Sequence, residues 1–296
     1  MRVFFTGGSG NAGRMVIAVL AAMGHRVVNF DLRPLGMAGV PDLIGDVTDA
    51  GQVAAALGAH AGVEELSAGP PQDFDAIVHF AAMPRPLLVP DVEMFRVNAF
   101  GTEVVLRAAE RARVGKVIVA SSESIYGMCY ADGTMQPEQL PLDETTALTP
   151  TDSYGLSKEV NEASARAMQR RSGADVLCLR MALVLAPADY ARFPEDFANP
   201  GPRRRGSFAY IDGRDLGHVV HLALVAQGVG FQILNVAHAE SCLPIPTQDL
   251  TRRFFDGVPQ TRALVAHESL VCTQKLRRML GYSDRHGWRD HVSPTA

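Results

Sequence analysis

The sequence predicts a doubly wound α/β fold: a parallel sheet with a smaller C-terminal lobe. Three observations predict it. Short apolar runs alternate with amphipathic stretches through residues 1–180. The runs are continuous rather than alternating apolar and polar, as expected of strands covered by helices on both faces. A glycine-rich turn follows the first run directly, where a strand must hand over to a helix.

Each element can be justified in order. Val3, Phe4 and Phe5 mark a first strand over residues 2–5. Met15, Val16, Val19 and Leu20 share one face of a helix over 11–23, and Gly24 is placed to stop it. Val27, Val28 and Phe30 give a second strand over 25–31, and Leu43-Ile44 ends a third. An Ala-rich helix over 49–57 has Asp49 as its N-cap. Residues 75–80 form a fourth strand, 91–113 a long helix, and 116–120 a fifth strand that runs into Ser121-Ser122-Glu123-Ser124. After a loop over 126–150 come a helix over 154–171 and a sixth strand over 175–179. Beyond Arg180 the pattern loosens. Residues 186–206, rich in proline and arginine, read as a surface excursion. Strands over 208–211 and 231–236 and helices over 215–226, 247–255 and 273–280 follow. The expected division is a sheet domain over 1–180 and a smaller lobe over 181–296, with segments of the lobe returning to the sheet.

Composition narrows the function. The chain has 296 residues, 47% of them apolar, and its 28 basic and 32 acidic side chains leave a net charge of −4. No general basic field is present to hold a nucleic acid. The longest apolar stretch, near Val176, is interrupted by Arg180 and falls short of a membrane span. The N-terminus turns glycine-rich after three apolar residues, too soon for a signal peptide. Four widely spaced cysteines with no C-x-x-C pair suggest reduced thiols in the cytoplasm. No His, Asp or Glu spacing suggests a metal site, and His79 and His218 read as satisfied structural histidines. The single tryptophan, Trp288, reads as a packing residue.

Gly7, Gly10 and Gly13, with Asn11 and Ala12 between them, open the first helix with G-x-x-G-x-x-G spacing. Glycines let backbone approach a pyrophosphate, and the helix N-terminus offers free N–H groups and partial positive charge. Asp31 closes the second strand 18 residues after Gly13. A carboxylate there accepts from both adenosine ribose hydroxyls and repels a 2′-phosphate, which favours NAD over NADP. Arg33 has three readings: a phosphate partner, a solvated loop charge, or a stack near the adenine. Asp46-Val47 is placed either to meet the adenine or to form a turn.

Tyr154 and Lys158 lie at i and i+4 on one helical face. A phenol near pKa ~10 is a poor base at neutral pH, and a neighbouring ammonium favours its ionised form.

These residues together resemble the extended short-chain dehydrogenase/reductase superfamily, the NAD-dependent epimerase/dehydratase group. The resemblance rests on residues 6–13, Asp31, Asp46, His79-Phe80-Ala81-Ala82, Asn98, residues 121–127, and Tyr154 with Lys158. It implies a Rossmann-like fold with a substrate-binding lobe, and NAD as cofactor. It implies Tyr154 as base, Lys158 as its partner and a hold on the nicotinamide ribose, and Ser122 as the active-site hydroxyl. Phe80, Ala81 and Ala82 would line the cofactor, and Asn98 would brace the site. Ser121 would sit on the cofactor side and Ser124 beside the substrate. Glu123 matches the first position of the Asp-Glu pair that follows the catalytic threonine in nucleotide-sugar dehydratases, but Ser124 breaks that pair. The substrate would be a sugar, sugar acid or nucleotide sugar. Some similarity to uronate dehydrogenases selects Arg192 as a carboxylate grip, although Glu123-Ser124 stand where those enzymes carry Asn-His. Arg203-Arg204-Arg205 reads either as a solvated charge run or as an anion clamp. The implied chemistry is hydride transfer from a hydroxyl-bearing carbon to NAD. The alternatives are an epimerase that returns the hydride and a non-catalytic NAD sensor. A homodimer through the helices at 91–113 and 154–171 is expected.

Overall fold

The fold is organised by β1 (Arg2–Thr6), whose five residues are all buried. In the computed structural model, which describes residues 1–293, the order continues with α1 (Asn11–Ala22), β2 (Arg26–Asp31), β3 (Asp42–Ile44), α2 (Ala50–Leu57), α3 (Val63–Ala68) and β4 (Ala76–His79). Next come α4 (Asp91–Phe95), a π-type turn (Arg96–Phe100), α5 (Gly101–Arg111), β5 (Lys116–Ser122), α6 (Ser153–Ser172) and β6 (Asp175–Met181). The remainder is β7 (Leu183–Leu185), α7 (Phe193–Ala198), β8 (Tyr210–Asp212), α8 (Gly213–Val225), β9 (Phe231–Val236), α9 (Thr247–Phe254) and α10 (Gln274–Leu280).

Seven strands form one parallel sheet in the order β3-β2-β1-β4-β5-β6-β9. The order reverses direction at β1, so the crevice over the ends of β1 and β4 is the switch point where such sheets bind ligands. On one face Val16, Ile17 and Leu20 of α1 pack with Leu216, Val219 and Val220 of α8 and Leu276 of α10. On the other, Val53, Val105, Ala165 and Met168 from α2, α5 and α6 cover Phe4, Ile77 and Val117. Each fully buried side chain of this size contributes roughly 1.5–3 kcal/mol of transfer free energy. β9 lies beyond residue 181 in sequence yet pairs with β6 along its whole length.

A third core holds the lobe together. Tyr190, Phe193, Phe208, Tyr210 and Trp288 cluster there, beside the two-stranded β7-β8 sheet. This corrects the expected surface excursion at 186–206. Tyr190 and Phe193 are buried, with Tyr190 stacked 4.4 Å from His291. The arginine run is tied to the protein, with Arg205 exposed and Arg203 and Arg204 half-buried. Arg203 pairs with Asp196 at 2.7 Å, Arg204 donates to the carbonyls of Phe254 and Met135, and Arg205 donates to that of Ala131. The acceptors of Arg204 and Arg205 are remote in sequence, so local composition pointed to solvent.

The long helix expected at 91–113 is divided by the π-type turn, a distortion common at functional sites. Local pattern carries no sign of α3, whose Val63 and Leu66 are exposed, or of the three-residue β7. His218 departs from expectation: its Nδ1 is buried without a hydrogen-bond partner. His79 is satisfied on both ring nitrogens, by Thr6 Oγ1 at 2.7 Å and Thr102 Oγ1 at 2.9 Å. Trp288 is fully buried, and its Nε1 donates to the Ser241 carbonyl at 2.9 Å. Among the described residues no helix is long and apolar enough to cross a membrane.

Candidate active site

The loop from Gly7 to Gly13 is held over the end of β2. Gly8 N donates to Asn29 Oδ1 at 3.1 Å and Ser9 N to Asp31 Oδ2 at 3.0 Å. Gly7 has φ +80, and a Cβ on it would lie 2.3 Å from Ala81 N. A Cβ on Gly13 would lie 2.3 Å from the Gly7 carbonyl oxygen. Only glycine allows the loop, the α1 start and the Phe80–Ala82 strand end to meet this closely. Gly10 caps α1 without a side-chain hydrogen bond, and at Gly10 a Cβ would meet only the Gly7 oxygen, at 3.4 Å. The first turn of α1 therefore presents backbone N–H groups on an open rim, the arrangement a pyrophosphate needs.

The adenine-side candidates divide. Asp31 sits at the rim with its carboxylate turned toward the loop. Arg33 takes part through its backbone, whose carbonyl accepts from Ser9 Oγ at 2.6 Å. Asp46 Oδ1 accepts from both the backbone N and Oγ1 of Thr48 at 2.8 Å, which is the turn reading. Val47 is buried against Gly101 at the start of α5.

The second group gathers at the end of β5. Asp152 caps α6 through a 2.9 Å bond from Gly155 N, a cap worth about 1 kcal/mol, and so fixes the first turn that carries Tyr154. Lys158 Nζ donates to the Ala120 carbonyl at 2.9 Å and lies 5.4 Å from the centre of the Tyr154 ring. Ser122 Oγ is 2.7 Å from Ser124 Oγ and accepts from Ser124 N at 3.1 Å. Burial pushes the Tyr154 phenol up from its ordinary value, against the pull of the Ser122 hydroxyl facing it. Burial lowers the Lys158 ammonium to about 8. Tyr130 meets Tyr154 edge-on at 5.9 Å.

Asn98, in the π-type turn, is a brace. Its Oδ1 accepts from Met83 N at 2.7 Å, and its Nδ2 donates to the Met83 carbonyl at 3.0 Å and to Ser157 Oγ at 3.2 Å. Ser157 in turn donates to the Tyr154 carbonyl at 2.7 Å. Asn98 thus ties the chain after β4 to the turn carrying Tyr154, and its amide is spent on protein instead of cofactor. Ser121 is likewise engaged with protein: its hydroxyl donates to Glu162 Oε1 at 2.7 Å. Glu123 is buried, with Oε2 unpartnered and Oε1 3.2 Å from where a Gly206 Cβ would lie. Burial raises its carboxyl well above the usual range. Arg192 is exposed at the end of a 3-10 turn (Pro187–Arg192).

Ser157 and Tyr130 were missed in the sequence. Ser157 had a signal, since i+3 from Tyr154 places it within reach of that residue's carbonyl. Tyr130, in a loop, had none.

A nucleotide-type switch point, a glycine-lined helix start and a Ser-Tyr-Lys group together define a Rossmann-fold oxidoreductase class. The sequence profile of the NAD dependent epimerase/dehydratase family matches residues 3–201. The chain belongs to that family, and its cofactor is NAD. Over 196 residues it is 31% identical to L-arabinose 1-dehydrogenase (NAD(P)(+)) of Haloferax volcanii, covering 64% of this chain and 70% of that enzyme. It is 25% identical to UDP-glucose 4-epimerase of Halalkalibacterium halodurans, covering 61% of this chain and half of that enzyme. A short-chain dehydrogenase/reductase superfamily protein from Agrobacterium tumefaciens, solved with bound NAD, superimposes with a TM-score of 0.71 at 22% identity. That match covers 98% of this chain and 94% of the other.

The residues present fit this cofactor. The open rim at Gly10 and the uncapped α1 suit a pyrophosphate, and Asp31 suits two ribose hydroxyls. Among the described residues no group of His, Cys, Asp and Glu is arranged to hold a metal.

Proposed function

We propose that the chain is an NAD-dependent oxidoreductase that removes hydride from a hydroxyl-bearing carbon of a sugar or sugar acid, with Tyr154 as base. The observation that carries this reading is the placement of Lys158, anchored on Ala120 at the end of β5, 5.4 Å from the Tyr154 ring. When bound, NAD supplies the hydride acceptor. Tyr154 takes the proton from the substrate hydroxyl, and Ser122 holds the same oxygen by a hydrogen bond. Lys158, anchored on Ala120, favours the Tyr154 phenolate and reaches the nicotinamide ribose. Gly7, Gly10, Asn11, Ala12 and Gly13 cradle the pyrophosphate, Asp31 takes the ribose hydroxyls, and Phe80, Ala81 and Ala82 flank the cofactor. Glu123 and Ser124 border the substrate, and exposed Arg192 is the residue available to a sugar carboxylate. The division into a cofactor domain over 1–180 and a substrate lobe over 181–296 follows, with β9 and α8 lent back to the sheet.

The similarity to a UDP-glucose 4-epimerase favours a second reading, in which the hydride is returned to the rotated intermediate. One assay separates the two. Purified protein with excess NAD is offered free sugars, sugar acids and nucleotide sugars, L-arabinose among them, and NADH is followed by near-ultraviolet absorbance. NADH in excess over protein supports the dehydrogenase. Isomerised sugar without net NADH replaces it with the epimerase. Neither product from any sugar counts against both.

We also place the protein in the cytoplasm as a homodimer. The four cysteines are free, and Val92, Phe95, Phe100 and Leu156 leave an exposed apolar face along residues 92–100 and α6. A monomeric mass in solution at working concentration would contradict the dimer.

A further inference from the structure

Arg180, the one charge inside the longest apolar stretch of the sequence, is 2% exposed. It lies on β6 directly opposite Ser121 of β5. Its partner is Glu162, one helical turn beyond Lys158 and two beyond Tyr154 on α6, and also buried. Glu162 Oε1 accepts from Arg180 Nε at 2.8 Å and from Ser121 Oγ at 2.7 Å, and Oε2 accepts from Arg180 Nη2 at 2.8 Å. The remaining arm of the guanidinium, Nη1, donates to the Tyr126 hydroxyl at 3.1 Å. The Tyr126 hydrogen is shared between Asn235 Oδ1 at 2.7 Å and the Asp143 carbonyl at 2.9 Å.

One ion pair therefore grips both ends of the turn that carries Ser122. Ser121 is held by the carboxylate and Tyr126 by the guanidinium, with Ser122, Glu123 and Ser124 between them. Stability does not explain such a pair, because desolvating two charges commonly costs as much as their attraction returns. Geometry explains it better. A bidentate pair fixes direction as well as distance, and a hydroxyl that must meet a phenol tolerates only about 0.5 Å of error. The same α6 face carries Tyr154, Lys158 and Glu162, so the base, its partner and the grip on the serine turn move as one rigid helix.

We propose that Glu162 and Arg180 are positioning residues that hold the Ser122 turn in register with Tyr154. The consequence for turnover rests on the reading of Ser122 and Tyr154 as the groups that handle the reacting oxygen; the consequence for the turn itself does not.

The test is the double variant Glu162→Leu/Arg180→Met, which removes both grips and replaces the charges with apolar side chains of similar size, a swap that often leaves stability intact. Amide hydrogen exchange is measured on the NAD-loaded protein. Ser124 N, bonded to Ser122 Oγ, and Gly127 N, bonded to the Ser124 carbonyl at 2.9 Å, are the reporters. Exchange over residues 121–127 should rise about tenfold while the rest of the sheet is unchanged. With any sugar the wild type oxidises, kcat should fall about tenfold at constant KM and NAD affinity. Ser121→Ala releases only the carboxylate grip, since its hydroxyl bonds Glu162 alone, and should give a smaller rise in the same segment; it carries the test if the double variant does not fold. Unchanged exchange over 121–127, or a rise spread evenly over the sheet, would overturn the proposal. A wild type that oxidises no sugar would defeat the functional reading alone, because the exchange measurement uses no substrate.

Discussion

The Lys158 ammonium lies 5.4 Å from the centre of the Tyr154 ring and donates to the Ala120 carbonyl. Burial raises the phenol and lowers the ammonium to about 8, so at neutral pH the phenol is neutral and the ammonium still charged before any ligand binds. The positively charged nicotinamide and the Ser122 hydroxyl both act to restore the phenolate. On the proposed mechanism the proton whose loss makes the base competent is that of Tyr154, and a charged Lys158 beside it eases that loss. The expected profile for kcat/KM of sugar oxidation rises with pH as the Tyr154 phenol ionises. In Lys158→Met the rise should move up by at least about one pH unit, since the phenol loses its ammonium neighbour. An unmoved limb would remove Lys158 from the ionisation of Tyr154.

Asp31 receives Ser9 N at 3.0 Å, and Arg33 follows two residues later. Replacing Asp31 by Ala removes the charge that repels a 2′-phosphate and leaves Arg33 to attract it. The ratio of NADP to NAD affinity should rise at least about tenfold, equivalent to 1.4 kcal/mol. Calorimetric titration of both dinucleotides checks this, and an unchanged ratio would take Asp31 out of cofactor discrimination.

His79 is buried, and burial lowers it to about 3. Thr102 Oγ1 donates to the Asn98 carbonyl at 2.6 Å, so it accepts from His79 Nε2–H, and Nδ1 accepts from Thr6. This neutral form has no place for a second proton. Between about 6.5 and 3 the unfolded chain binds a proton here that the folded protein refuses, so stability falls as pH falls through that window. His25, His218 and His221 are also lowered by burial and add to the same slope. His79→Gln should flatten the acid limb of urea-unfolding free energy by up to about 1.4 kcal/mol per pH unit. Equal slopes in variant and wild type would contradict the assignment.

Much of this architecture was legible in the sequence because it is local. Asp49 and Gly24 mark helix ends by backbone chemistry that needs no tertiary partner, and β9 runs over the residues its apolar pattern indicates. The glycine loop was legible because Gly7 and Gly13 occupy positions that exclude any Cβ. What stayed hidden depends on remote partners. Arg204 finds its acceptors at Met135 and Phe254. Ser121 finds Glu162, 41 residues away. Arg180 was visible only as an interruption of an apolar run. The rule that a buried charge needs a partner would have marked it as paired, without saying with which residue.

Asn98 is fully buried and joins Met83 to Ser157. Asn98→Ala leaves the Met83 N–H and carbonyl without partners. The expected loss is about 2–3 kcal/mol of unfolding free energy. Turnover should fall with it, because the chain after β4 loses its tie to the turn carrying Tyr154. Chemical denaturation reads the first effect, and a loss under about 0.5 kcal/mol would show that water replaces the amide.

The central claim is that Tyr154 takes the proton from the substrate hydroxyl as hydride leaves for NAD. The most direct measurement compares wild type with Tyr154→Phe, each with NAD and the sugar that yields most NADH, while NAD affinity is titrated on both proteins. The account predicts many NADH per wild-type site, turnover by Tyr154→Phe lower by at least about a thousandfold, and NAD affinity equal in the two. NADH formation by Tyr154→Phe at the wild-type rate would contradict it.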